Sequence, residues 1–290
     1  MRSSDKLTSL ETHRRTLHRP DLQLNYWEWN QASEPLLLLH GMTDHGLIWA
    51  NLAEAIGDRY HIIAPDLRGH GDSDKPKQGY DCNVMIEDVN ALLNQVGWTS
   101  AHIVAHSWSV KVAAIWAARQ PERFRSLVII DPFFTGKLPG WVKLTFPFLY
   151  RVLPFLKTMG PFDRLEQIEQ VGRQLKQYRG WSDLQQMAFY AGIEQKSDGR
   201  WGSKFVAQAR DGIFEDVLRV NGLTQAIAIP TLFLQPEQGL NRTEWQIRPY
   251  RTYLKNLRIQ SIPGNHWCFL VEPEPSNQAI ATFLDQQRHQ

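Results

Sequence analysis

The sequence predicts an α/β fold: a mostly parallel, eight-stranded twisted sheet flanked by helices, with a helical cap inserted after the sixth strand. Continuous apolar runs at 35–40, 61–66 and 127–130 have the pattern of strands buried on both faces. Segments of helical spacing at 48–56, 84–96 and 110–119 alternate with them, as a parallel sheet wound with helices requires. A third observation places the insertion, because the alternation stops after Asp131 and returns only near residue 230.

In chain order, two alternating stretches precede the 35–40 run, which Gly41 ends. The 61–66 strand closes into Arg68-Gly69-His70-Gly71-Asp72-Ser73, a loop of glycine and polar residues. The apolar stretch ending at Ala105 is the fifth strand and 127–130 the sixth. Over 132–225 the text turns aromatic and proline-rich, with Phe133, Phe134, Trp141, Phe146, Phe148, Tyr150 and Phe155. Strand text resumes at 230–234 and 257–262, separated by a polar helix, and a helix at 277–284 closes the chain. The expected division is therefore a core domain from 1–131 and 226–290, with 132–225 as the cap. There is no internal repeat or low-complexity segment.

Composition narrows the function classes. The 32 Lys and Arg are balanced by 30 Asp and Glu, net +2, and are scattered, so a nucleic-acid-binding face is not expected. With only Cys82 and Cys268, a disulfide framework is not expected either, which points to a reducing, cytoplasmic setting. The first residues, Met1 to Lys6, lead to Glu11, Arg14 and Arg15 without an apolar signal core, so export is unsupported. The nearest approach to a membrane span, 141–162, is interrupted by Lys143, Arg151, Lys157 and three prolines. The histidines do not fall at metal-ligand spacings, and Gly69 to Gly71 lacks a phosphate-binding pattern, so neither metal nor other cofactor is expected.

The run Ala105-His106-Ser107-Trp108-Ser109 breaks a strand into a small-residue turn before a helix. A serine at such a sharp turn has an exposed hydroxyl, and the N–H after it points toward whatever the hydroxyl attacks. Ser107 is thus the candidate nucleophile. It needs a base, and His266, between the last strand and the closing helix, lies at the same carboxyl rim of the sheet. Ala105 and Ser109 stand where glycines are usual, each adding a Cβ at a tight turn.

These motifs resemble the α/β-hydrolase superfamily. The resemblance rests on His40-Gly41 after the third strand, the Asp66 to Ser73 loop after the fourth, the elbow at Ser107, and Gly264-Asn265-His266 after the last strand. It implies an oxyanion hole from the backbone N–H groups of Met42 and Trp108, with Trp108 also walling the pocket. His40, His70 and His106 are expected to shape loops. The superfamily's commonest acid position, in the turn after 230–234, holds Gly239 here. Two carboxylates remain as the triad acid: Asp131 at the end of the sixth strand, which is favoured, and Glu237.

The elbow text His106-Ser107-Trp108 is similar to that of haloalkane dehalogenases and epoxide hydrolases, whose elbows carry aspartate. A serine there implies acyl transfer instead. The expected activity is a serine carboxylesterase acting on a small ester with a hydrophobic part, because the insertion is rich in apolar residues. Alternatives are a thioesterase, a C–C bond hydrolase with the same triad, or a non-catalytic ligand-binding member of the fold. Membrane-surface contact through 141–162 ranks behind pocket lining, since cap helices facing a core must be apolar anyway.

Overall fold

The computed structural model describes residues 12–30 and 32–288; the stretch before Thr12, read for an export signal, lies outside them. Strands β1 (Thr12–Arg19) and β2 (Leu22–Trp29) form an antiparallel hairpin. There follow β3 (Glu34–Leu39), a 3-10 turn leading into α1 (Ala50–Ile56), β4 (Tyr60–Pro65), α2 (Cys82–Gln95), β5 (Ala101–His106), α3 (Ser109–Arg119) and β6 (Phe124–Ile130).

Between β6 and the next sheet strand lie α4 (Phe146–Val152), α5 (Leu165–Arg173), α6 (Asp183–Ala191), a hairpin of β7 (Ile193–Gln195) and β8 (Trp201–Ser203), and α7 (Ala207–Arg219). The chain then completes the sheet with β9 (Thr231–Gln238), α8 (Glu244–Tyr253), β10 (Leu257–Asn265), α9 (Cys268–Val271) and α10 (Pro273–Gln287). The strand order is β1-β2-β4-β3-β5-β6-β9-β10. Pairing is parallel from β4 through β10 and antiparallel at β1, β2 and their junction with β4.

Alternation along the strands divides the core into two layers. Leu37, Leu39, Ile103, Ala105, Leu127 and Ile129 pack with α2 and α3 on one face. Leu36, Leu38, Val104, Val128 and Ile130 pack with α1 and α10 on the other. Burial on both sides is why these strands read as unbroken apolar runs.

Two differences from the sequence expectation have local causes. β9 continues past 234 through Pro236, because its β6 neighbour ends at the Ile130–Leu234 pair and only β10 pairs beyond; one-sided pairing tolerates proline. The segment expected to be wholly helical contains β7 and β8, joined across Asp198-Gly199, with Gly199 at φ +83°. That dipeptide is a hairpin signal surrounded by helical text. Among the described residues, no helix is long and apolar enough to cross a membrane.

Candidate active site

β3 and β5 are adjacent, yet the chain visits β4 on one side before crossing to β5 on the other. Loops leaving the carboxyl ends of β3 and β5 therefore part at a topological switch point, the place where open α/β sheets form a crevice. Met42 follows β3 and Ser107 follows β5. Ser107 has φ +57°, a backbone conformation that surroundings must hold in place for a residue with a Cβ. Its N–H donates to the Ile130 carbonyl at 3.0 Å. Ser109 does more than fit: its Oγ accepts from the His106 N–H at 3.1 Å and lies 3.1 Å from the Leu39 carbonyl oxygen, joining the elbow to the end of β3. Gly41 matters by close approach, since a Cβ there would come within 2.7 Å of His106 Nδ1.

His266 lies between Asp131 and Ser107. Its Nδ1 is 2.6 Å from Asp131 Oδ2, and its Nε2 is 2.8 Å from Ser107 Oγ. The natural donor order is Ser107 O–H to Nε2 and Nδ1–H to the carboxylate. His266 follows directly on the end of β10, whose register with β9 shifts between Ile262 and Asn265. Asp131 is fully buried, with φ +37°.

The carboxylate of Asp131 also accepts from the Leu240 N–H at 2.8 and 3.0 Å, the Asn241 N–H at 3.2 Å and the Asn241 side-chain amide at 3.0 Å. Burial alone would push this carboxyl up. The hydrogen bond and charge of His266, with the Asn241 and Leu240 donors, outweigh burial and hold it below the ordinary carboxylate value. Asn241 was not among the sequence candidates, and no motif announces it. Glu237 is exposed near the end of β9 and makes no hydrogen bond to His266.

The remaining histidines are anchored elsewhere. His40 accepts the Leu67 N–H at Nε2 (3.0 Å) and donates from Nδ1 to the Gly41 carbonyl (2.7 Å). Burial and the neighbouring His70 push it down to about 3, so it is neutral. His70 donates to the Arg68 carbonyl and is pushed down to about 4, chiefly by burial. His106 donates from Nε2 to the backbone carbonyl of His266 at 2.9 Å, bracing that loop. The Asp66 carboxylate accepts from the Gly46 and Asp72 N–H groups at 2.7 and 2.8 Å. With His40, it ties the loop after β4 to the loop that carries Met42.

The Met42 and Trp108 N–H groups have no acceptor among the described residues, and both residues line a cavity of about 420 Å³ with Ser107 and His266. Leu149, Leu153, Phe155 and Phe214 form its opposite wall, all from the segment between β6 and β9. A larger surface cavity, about 680 Å³, lies between that segment and α8 and shares only Phe133 and Leu240 with it. No nucleophile and base face each other there, so the smaller cavity is the candidate site.

Comparison with known proteins agrees with this architecture. Over 278 residues the chain is 37% identical to the 2-(acetamidomethylene)succinate hydrolase of Mesorhizobium japonicum, covering 88% of this chain and 90% of that protein. A soluble epoxide hydrolase of Corynebacterium sp. is 36% identical over 109 residues, 38% of this chain and only 36% of that protein's length. The solved structure of an E-2-(acetamidomethylene)succinate hydrolase superposes with a TM-score of 0.80 at 24% identity, covering 95% of this chain and all of the other. A marine microorganism esterase superposes with a TM-score of 0.71 at 23% identity, again over 95% of this chain and all of the other. The sequence profile of the alpha/beta hydrolase fold matches residues 34–273, from the start of β3 to the start of α10. With the strand order and the loops at its switch point, this match means that the chain belongs to the alpha/beta hydrolase fold family.

Proposed function

We propose that the chain is a serine hydrolase that cleaves a carboxylic ester with a hydrophobic part through an acyl-enzyme on Ser107. The observation that carries this reading is the run of hydrogen bonds from Asp131 through His266 to Ser107 at 2.6 and 2.8 Å, ending in an apolar cavity. Ser107 Oγ attacks the ester carbonyl carbon while its proton passes to His266 Nε2. The carbonyl electron pair moves onto oxygen, where the Met42 and Trp108 N–H groups receive the charge. Collapse breaks the C–O bond, and His266 protonates the departing alcohol. Water, deprotonated by His266, then releases the acid and restores Ser107. Asp131, ionised throughout, holds Nδ1–H and stabilises the imidazolium.

Residues 132–225 act in this reading as the cap that selects substrate. The Mesorhizobium japonicum relative is named for a dicarboxylate. Here Lys176 is the one lysine or arginine among the lining residues, beside many aromatic and aliphatic side chains. That balance favours an apolar ester, with Lys176 available to a single substrate carboxylate. The test is labelling by a fluorophosphonate probe, expected in the wild type and absent in Ser107→Ala, followed by turnover of p-nitrophenyl esters, acyl thioesters and β-diketones. No labelling of the wild type would favour a ligand-binding protein; turnover confined to thioesters or diketones would move the bond cleaved.

A further inference from the structure

The segment from 140 to 152 carries apolar side chains on both an inner and an outer face. A 3-10 turn (Gly140–Thr145) runs straight into α4 (Phe146–Val152). Its inner face is accounted for: Phe146 is buried, Val142, Tyr150 and Leu149 pack against the core, and Leu149 also lines the cavity at Ser107. Its outer face is not. Trp141, Leu144, Phe148 and Val152 are 67, 85, 66 and 46% exposed. Spaced by three, four and four residues, they fall in one stripe. Contiguous exposed apolar surface marks an interaction site. Facing a core, the ordinary reason for an apolar cap helix, cannot explain residues that face outward.

Charge indicates what covers the stripe. From Pro132 to Phe162 there is no Asp or Glu, while Lys137, Lys143, Arg151 and Lys157 are present. Lys143 pairs with Glu215 of α7. Lys137, Arg151 and Lys157 are exposed and have no carboxylate partner among the described residues. A second copy of the chain laid face to face on the stripe would bring these like charges together. An anionic lipid surface instead accepts both the apolar stripe and the exposed cations of the same stretch of chain, as interfacial helices require.

We propose that the outer face of 140–152 docks this protein on anionic membrane surfaces, with Trp141, Leu144, Phe148 and Val152 entering the headgroup boundary and Arg151 and Lys157 meeting lipid phosphates. Docking needs neither Ser107 nor its reaction. Its consequence, that an acyl substrate enters from the lipid side past Leu149 and Leu153, rests on the ester-hydrolase reading.

The test is co-sedimentation of the full chain with vesicles of phosphatidylglycerol and phosphatidylcholine, against phosphatidylcholine alone. Wild type and Ser107→Ala are expected to bind the anionic vesicles alike. Leu144→Asp with Phe148→Asp should lower partitioning about tenfold or more, since two apolar anchors are lost. Arg151→Glu with Lys157→Glu should lower it roughly tenfold and flatten its salt dependence. Circular dichroism melting, with p-nitrophenyl acetate turnover where the wild type has it, checks that the variants fold. Should the Asp variants fail to fold, quenching by brominated lipid in the wild type, and its reduction in Trp141→Phe, reports insertion directly. Wild type staying in the supernatant with anionic vesicles, folded Asp variants binding undiminished, or a dimer that Leu144→Asp dissociates without any vesicle binding would each overturn the proposal. Vesicle binding without ester turnover or probe labelling leaves docking standing and removes the ester-hydrolase reading alone.

Discussion

The exits of β6 and β9 lie side by side on the carboxyl rim and differ in content, a carboxylate at one and a glycine at the other. β6 is followed at once by Asp131, a buried carboxylate at φ +37°. The turn after β9 carries Gly239, and a Cβ built on it would lie 2.7 to 2.8 Å from all three atoms of the Asp131 carboxyl group. One volume beside His266 is thus filled from β6, and the neighbouring strand makes room for it. The β9 exit still contributes, because the Leu240 and Asn241 N–H groups that follow Gly239 bind the carboxylate. The space beside His266 Nδ1 is therefore shaped by two loops, and a small residue in one loop reports on the other.

The largest effect that can break this comparison is Asp131→Asn. With a small p-nitrophenyl ester it is expected to lower kcat by about 10³ to 10⁴ with little change in KM, since it removes the charge behind the imidazole. Retained turnover would transfer the role elsewhere. Gly239→Ala comes next. Its methyl must displace the carboxylate, with an expected loss of about 10- to 100-fold in kcat. Gly239→Asp added to Asp131→Gly should recover part of what Asp131→Gly alone loses, and no recovery would mean that the two exits are not interchangeable.

Asn241→Ala is smaller. It removes an amide that bonds both Asp131 and the Pro132 carbonyl, and should cost roughly 1 to 3 kcal/mol in thermal or urea unfolding. Part of that difference depends on pH with a definite sign. Asp131 is held below its ordinary value of 3.8 in the fold, so its ionised form contributes stability above about pH 3.8 that is lost as pH falls through the folded value. The gap between wild type and Asn241→Ala should accordingly narrow in that acid range; a gap constant with pH would show that the amide acts only by packing. Glu237→Gln, at an exposed position, is expected to change turnover by less than about twofold.

Much of the sheet was legible because strands buried on both faces must be apolar throughout: 35–40, 61–66 and 127–130 correspond to β3, β4 and β6 within a residue or a few. β7 and β8 were not, since three-residue strands carry too little periodicity to stand out from helical neighbours. At the site, Ser107 and His266 could be put on one rim from chain order alone, because both follow parallel strands. Asn241 could not be found. An asparagine in a loop has many local uses, and only the approach of the β9 exit to β6 puts its amide on Asp131. The apolar text of 140–152 was visible, but its partition into an inner wall and an outer stripe was not, because the sequence does not say how much of a helix its neighbours cover.

Chain order and apolar patterning thus established the α/β class, the parallel sheet and the rim on which Ser107 and His266 stand, since hydrogen-bonded strands and helical spacing follow from local physics. Whether Asp131 or Glu237 meets His266 was a matter of ångströms between segments far apart in the chain. Only the packed structure settles such distances: Gly239 clears a space, Asn241 and Leu240 supply donors, and the carboxylate that fits is the one that faces the imidazole.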